Sequence, residues 1–241
     1  MNGILALIAA FLPAVLLLVY IWKKDPQKEP LSWLAKAVLW GVAICIPVAS
    51  LEMGIAEVLF GPGGQPSSLV GTTTMAFFVA AIPEETFKLL VLWIVLRKNP
   101  YFDEHFDGIV YAVCVGLGFA AIENVAYVLK AEDWAGVAIT RALLAVPGHY
   151  AFAILMGYYY SIYHFVDHSP KVAARVLLAP VVAHGIYDSL AMSGLVNQYV
   201  GGLSFCFLIF FCIKIHKKAK TKMLAQIKRD KRKNDTFTLQ T

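Results

Sequence analysis

The stretch TTTMAFFVAAIPEETFKLLVLWIVL occupies positions 72–96 and decides the fold class. Its 25 residues are mostly apolar, and a helix of that length can cross the hydrocarbon core of a bilayer. Yet Glu84, Glu85 and Lys88 lie in the middle of it. Because charges inside a membrane are costly, such a helix must turn them toward a bundle interior or a water-filled cavity. The stretch therefore predicts one helix of a bundle with a polar interior.

Six further apolar runs indicate that this helix has neighbours of the same kind. The chain of 241 residues is 59% hydrophobic and 15% charged, whereas a soluble domain has roughly 45–50% apolar and about 25% charged residues. This composition excludes a soluble enzyme, a disordered regulator and a stand-alone nucleic-acid module. We predict an all-α, polytopic transmembrane bundle of about seven spans, at 4–22, 33–58, 72–96, 107–129, 136–165, 172–193 and 196–215.

The distribution of lysine and arginine predicts the orientation. Ten of the 21 basic residues lie in 214–233, so the net charge of +5 comes from the C-terminal segment. With the N-terminus outside, 18 of the 21 lie on the cytoplasmic side, as the positive-inside rule requires. We therefore expect a single transmembrane domain over 1–213 and a basic cytoplasmic tail over 214–241. We interpret the basic charge of the tail as a signal for orientation and as a means of contact with anionic lipid. We expect no nucleic-acid partner.

Ionisable or amide side chains inside four different spans form the candidate site. At 1.5 Å per residue, Glu84, Glu123, His149 and His184 fall about 18–24 Å above the cytoplasmic ends of their helices, at one level in the middle to outer membrane. Prolines precede three of these positions and would free backbone carbonyls that need protein or water partners. The members are Glu84, Glu85, Lys88, Glu123, Asn124, His149, His184 and Asp188.

Several kinds of chemistry fit this set of side chains. Lys88 can pair with one glutamate and leave the other as a general base for water. Two histidines with Asp188 can bind Zn²⁺, or His184 can stabilise an oxyanion without metal. An ion-pair network that only holds helices together is the structural alternative. Glu52 and Arg141, near the predicted outer ends of their spans, are interpreted as interfacial charges.

Four short motifs in this order resemble the PrsW-type intramembrane proteases, distant relatives of the CAAX prenyl proteases and the bacteriocin-processing proteins. EETFK (84–88) is similar to the EExxK motif of that family, and GLGFAAIENVAY (116–127) to its FxxxEN motif. PGHYAFA (147–153) and HGIYD (184–188) resemble its two histidine motifs. The motif core spans 72–193. The wider group usually has histidine where this chain has Glu123.

The resemblance implies a multi-pass endopeptidase of a bacterial plasma membrane. Glu84 or Glu85 would activate water, and His184 with Asp188 would bind metal or stabilise the oxyanion. His149 and Glu123, with Asn124, would complete the pocket. The implied metal ligands are His149, His184 and Asp188, with Zn²⁺ as the expected ion, while the CAAX branch suggests a metal-free glutamate mechanism.

The resemblance also implies a substrate. It would be a single-span membrane protein cut near the extracytoplasmic face, with site-1 cleavage of an anti-sigma factor in a stress response as the specific expectation. The alternative function is a proton- or cation-coupled transporter, because carboxylates and histidines in membranes also build proton relays. The sequence shows no clear inverted repeat of the kind that many transporters have.

Overall fold

The computed structural model describes residues 3–238 and is helical throughout, with no strand among those residues. The all-α prediction is confirmed. Within residues 3–238, ten α-helices are joined by short connections, and a π-helix, Met75–Ala81, connects α4 to α5. The helices are α1 Gly3–Lys24, α2 Leu31–Ala43, α3 Cys45–Phe60, α4 Leu69–Thr74, α5 Ile82–Leu96, α6 Asp107–Lys130, α7 Trp134–Leu143, α8 Ala145–Phe165, α9 Pro170–Met192 and α10 Gln198–Thr238.

Six helical segments of the described chain are long and apolar enough to cross a membrane. They correspond to α1, α2 with α3, α6, α7 with α8, α9, and α10. The opening stretch, 72–96, lies on α4, the π-helix and α5, which follow one another without a gap but are not one α-helix. The polytopic bundle is thus confirmed, while the count of about seven spans and the orientation stay predictions.

Two predicted spans are broken just ahead of a proline. The helix pair α2 and α3 meets at Ile44, three residues before Pro47, and α7 and α8 meet at Leu144, three residues before Pro147. Proline has no N–H, so the carbonyl four residues earlier loses its helical partner and the chain can bend there. The break at Leu144 is what separates α7 from the helix that carries His149.

Helix α6 is the centre of the bundle. Within its apolar window 72% of the residues are buried, against 22% for α1 and for α10, which present most of their apolar surface outward. Glycines allow neighbouring backbones to approach α6 closely: a Cβ on Gly118 would overlap the carbonyl of Val38, and one on Gly108 would overlap Ser161. Small residues that let backbones approach in this way are typical of helix packing in membranes. The motif at 116–127 therefore lies on the best-enclosed helix.

The helix α10 continues through the predicted tail boundary at 213/214 and packs against the bundle. Met223, Gln226 and Asp230 recur at helical spacing and are all buried. The carboxylate of Asp230 accepts hydrogen bonds at 2.8 Å from the backbone N–H groups of His105 and Phe106, just before α6 begins. One face of this basic helix is thus packed against the bundle.

Candidate active site

The first turns of α5 hold two carboxylates and an ammonium in direct contact. Lys88 Nζ donates to Glu84 Oε2 and to Glu85 Oε1, both at 2.8 Å. Lys88 lies four and three residues after the glutamates, a spacing that brings the three side chains to one side of the helix, and it contacts both carboxylates instead of only one. The exposed fraction is 3% for Lys88, 5% for Glu84 and 1% for Glu85. The charges are therefore removed from solvent and need each other as partners.

His149, in the first turn of α8, connects this trio to α6. Its Nδ1 lies 3.2 Å from Lys88 Nζ, and its Nε2 lies 2.8 Å from Glu123 Oε2. An ammonium can only donate a hydrogen bond, so in this arrangement Nδ1 is the acceptor. Nε2 then carries the proton and donates a hydrogen bond to Glu123. The geometry therefore defines a neutral imidazole whose tautomer is fixed from both sides.

His184, on α9, has a different electrostatic environment. Its Nδ1 lies 3.0 Å from Glu85 Oε1 and its Nε2 lies 3.2 Å from Asp188 Oδ2. Both ring nitrogens face carboxylate oxygens, and an imidazolium satisfies both contacts. The ring of Phe152 stacks on the imidazole with centroids 5.0 Å apart and planes inclined by 20°. The orientation of His184 is therefore held on three sides.

Arg141, on α7, supplies a second cation at the far end of the network. Its Nη2 lies 3.0 Å from Glu123 Oε2, and its Nε donates to Asn124 Oδ1 at 2.8 Å. The amide of Asn124 in turn donates to the Ala10 carbonyl at 2.7 Å. This tie fixes α6 to α1 and leaves Arg141 with one carboxylate partner and one amide partner.

A cavity of about 810 Å³ opens beside the network and is lined by most of its members. This volume is typical of ligand-binding clefts. Glu84 lines the cavity, whereas Glu85 and Lys88 lie behind it. The cavity wall combines apolar side chains with the polar groups of Glu52, Glu84, Glu123, Arg141, His149, His184 and Asp188. A substrate segment in this cavity would meet a carboxylate, an imidazole and a guanidinium together.

The chemistry of the donors fits a metal ion. Glu84, Glu85, His149 and His184 each offer one ligand atom, and these atoms all lie within 4.8 Å of one another. Two carboxylates and two imidazoles are a donor set that suits Zn²⁺. Glu85 Oε2 is buried and has no hydrogen-bond partner among the described groups. The ammonium of Lys88 already contacts three of these four residues. A metal ion would therefore share its ligands with Lys88.

All eight residues selected from the sequence belong to one connected set of contacts. From α6 to α9 it runs through Asn124, Arg141, Glu123, His149, Lys88, Glu84, Glu85, His184 and Asp188. The four residues grouped as metal donors are two carboxylates and two histidines, and Asp188 lies on the opposite ring nitrogen of His184.

Sequence reasoning underestimated two residues. Arg141, interpreted as an interfacial charge, is a member of the network, because the break at Leu144 places α7 over the cavity. Glu52, also interpreted as interfacial, lines the cavity and has a buried Oε1 without a hydrogen-bond partner among the described groups. The available signal was their charge alone, as neither belongs to a motif.

A bundle of apolar helices that buries carboxylates and imidazoles beside a cavity is compatible with intramembrane hydrolysis. The model of the PrsW family intramembrane metalloproteases matches residues 29–215. The chain is 34% identical over 216 residues to protease PrsW of Geobacillus kaustophilus, a match that covers 88% of this chain and 91% of that protein. It is 30% identical over 225 residues to protease PrsW of Bacillus subtilis, and this match covers 91% of this chain and 97% of that protein.

A third relative, protease PrsW of Clostridioides difficile, is 34% identical over 189 residues and covers 76% of this chain and 77% of its own. No solved structure matches the chain. The chain belongs to the PrsW family of intramembrane metalloproteases. It is accordingly a peptidase of a bacterial plasma membrane, and its buried cluster of carboxylates and histidines can bind a metal ion.

Proposed function

We propose that this protease cleaves a single-span membrane protein near the extracytoplasmic face, as the site-1 protease of an anti-sigma factor. The observation that carries the proposal is the polar network beside a cavity inside the bundle. A membrane-spanning substrate would need to partly unwind there, and the polar lining offers hydrogen-bond partners to its freed backbone groups. The level estimated for the network, in the middle to outer membrane, supports cleavage on that side.

Glu84 is our candidate for the general base. Its carboxylate lines the cavity, where a water molecule and a peptide carbonyl can reach it. Glu85 lies behind it with one oxygen between Lys88 and His184. We assign Glu85 to holding these two cations in place, since a cation that keeps its orientation costs no reorganisation during the reaction.

His184 and Arg141 are our candidates for stabilising negative charge. His184 and Asp188 both line the cavity, and the Nε2–H of the imidazolium, 3.2 Å from Asp188 Oδ2, would be shared with an oxyanion or transferred to a leaving amine. Asp188 would then orient the ring instead of binding metal directly. Arg141 lies beside Glu123 at the same wall and would meet the substrate backbone or its carboxylate groups.

A metal ion, with Zn²⁺ as the candidate, would be held by Glu84, Glu85, His149 and His184, with His184 then neutral instead of an imidazolium. When bound, Zn²⁺ supplies Lewis-acid polarisation of a carbonyl and a more acidic water. Glu123 would support this ligand set, because it fixes the tautomer of His149 through Nε2. The metal-free alternative uses the same residues with Glu84 as the base and Lys88 as the neutralising cation.

The proposal is tested by co-expressing the full chain with an epitope-tagged anti-sigma factor of the same cell. We expect Glu84→Gln and His184→Ala to abolish the cleaved fragment. The matched controls are Glu57→Gln and His168→Ala, at exposed positions, which should leave cleavage at the wild-type level.

Three outcomes separate the components of the proposal. If both site variants still cut the substrate at the wild-type rate, the site assignment fails. If the wild type cuts other single-span proteins but no anti-sigma factor, the substrate assignment fails and the site stands. If no membrane protein is cut but proteoliposomes show a proton flux that depends on Glu84, the transporter alternative is supported.

A further inference from the structure

A second acidic cluster lies where α1 ends and α6 begins, away from the active site. Asp25 follows α1, Glu104 precedes α6, and Asp107 is the first residue of α6. Each is nine-tenths or more buried, with exposed fractions of 2%, 4% and 0%. One carboxylate oxygen from each lies within 4.8 Å of the others. Along α6, Asp107 is 16 residues or about 24 Å from Glu123, so the two clusters are separate.

Hydrogen bonds hold one oxygen of each aspartate and leave the other without a partner. Asp107 Oδ2 accepts from the backbone N–H groups of Asp103 at 3.1 Å and Glu104 at 2.7 Å. Asp25 Oδ2 accepts from the Glu29 N–H at 3.4 Å. The Oδ1 atoms of Asp25 and Asp107 are buried and have no hydrogen-bond partner among the described groups. Such oxygens are expensive to bury unless a ligand or a proton occupies them.

The neighbouring side chains add negative charge to this cluster. Glu29 is 7% exposed, and its carboxylate accepts a hydrogen bond from the Tyr111 hydroxyl. The nearby ammonium of Lys28 donates to the main-chain carbonyls of Trp22 and Asp25. Fixed carboxylate oxygens gathered in one place are the ligands that hard divalent cations prefer.

We propose that Asp25, Glu104 and Asp107 bind a hard divalent cation, such as Mg²⁺, Ca²⁺ or Mn²⁺. The cation would join the end of α1 to the start of α6 and complete the coordination of the two Oδ1 atoms. It would thereby fix the helix that carries Glu123 and Asn124 at its other end. This site is independent of the metal donors of the active site.

The test uses Tb³⁺ as a luminescent probe of the full-length protein purified in detergent. Tyr111 lies beside the cluster and would sensitise the emission of bound Tb³⁺. Burial raises the pKa of Asp25 to about 6 and that of Glu29 to about 7. The titration is therefore done at about pH 8, above both of these values, to reduce the competition of protons for the ligands. Ca²⁺, Mg²⁺ and Mn²⁺ are then added to displace the probe.

We expect saturable emission that Ca²⁺ or Mg²⁺ displaces, and a loss of at least about tenfold in Tb³⁺ affinity in Asp25→Asn and Asp107→Asn. Asp103→Asn, at an exposed position next to the cluster, is the matched control and should bind as the wild type does. The double variant Glu84→Gln/His184→Ala should also keep the site, because it changes only the active-site donors.

Two results would overturn the proposal. One is emission that is lost in the active-site double variant and kept in Asp107→Asn, which would place the cation at the active site. The other is the absence of saturable binding to the wild type at millimolar cation, which would leave protonated carboxyls as the explanation of the cluster. If an asparagine variant does not fold, the Glu84→Gln/His184→Ala variant still provides a test. Saturable Tb³⁺ emission that Ca²⁺ displaces in that variant supports the proposal, and its loss contradicts it.

Discussion

The two polar clusters of this protein solve the problem of buried charge in opposite ways. Inside the bundle, four carboxylates meet an ammonium, a guanidinium and two imidazoles, and the ionised groups have oppositely charged partners within about 3–4 Å. At the junction of α1 and α6, Asp25 and Asp107 keep unpartnered oxygens beside two further acids. In the first cluster each ionised group has an oppositely charged partner among the cluster's own side chains, whereas the second leaves a place for an external cation or proton.

This difference separates catalysis from support. A cluster whose charges are paired and line a cavity can hold those charges in place for a substrate. The junction cluster has unpartnered carboxylate oxygens and no role in that cavity. It is better suited to joining two chain segments through a bound cation. The contrast predicts that removing a charge from the interior cluster is costly, while removing one from the junction cluster is not. The following variants test that expectation.

The largest effect should come from Glu84→Gln, which keeps the size of the side chain and removes its basicity. We expect the rate of substrate cleavage to fall by about 10²–10⁴-fold, the usual contribution of a general base. The measurement is a single-turnover assay with a single-span substrate in proteoliposomes. Glu57→Gln, at an exposed position, is the control. A Glu84→Gln enzyme with at least half of the wild-type rate would contradict our choice of base.

The next effect is on stability, in Lys88→Met. This change leaves Glu84 and Glu85 buried without their shared ammonium, and breaking a buried ion pair from one side costs about 3–5 kcal/mol. We expect a clearly lower unfolding midpoint in detergent, measured by a thermal or denaturant titration. Lys98→Met removes an exposed lysine and should leave the midpoint unchanged. Equal midpoints for the two variants would mean that the interior cluster does not depend on its cation.

A smaller loss is expected from Arg141→Gln, since Glu123 keeps His149 as a second partner. We expect kcat/KM to fall by about 10–100-fold, or about 1.4–2.8 kcal/mol. Arg141→Lys should restore part of the activity, because the charge near Glu123 returns but the contact to Asn124 is lost. The control is Arg97→Gln, at an exposed arginine. Full activity in Arg141→Gln would return Arg141 to the interfacial role that the sequence suggested.

The interior cluster was predictable from sequence because the cost of charge in a membrane leaves few alternatives. Glu84, Glu123, His149 and His184 had to face the bundle interior, and apolar spans of known length placed them at similar depth. The spacing of Lys88 from the glutamates was also sufficient to predict their contact. These inferences need only local sequence and the thickness of the bilayer.

The remaining features depend on how helices break and pack, which local sequence does not determine. Arg141 reaches the network because the chain breaks at Leu144, and a proline allows such a break without requiring it: α9 continues through Pro180. The π-helix before Pro83 was likewise not predicted. The junction cluster joins acids that are about 80 residues apart, so their proximity follows only from the tertiary fold.

The smallest effect should come from Asp107→Asn, and it is the direct counterpart of Lys88→Met. Asparagine keeps an oxygen for the N–H groups of Asp103 and Glu104 and removes one negative charge from a group of like charges. In buffer without divalent cations we therefore expect stability to stay within about 1 kcal/mol of the wild type or to rise. Added Ca²⁺ should raise the unfolding midpoint of the wild type but not that of the variant. A loss as large as that of Lys88→Met would show that the charge of Asp107 is compensated within the protein, and the contrast between the two clusters would then no longer hold.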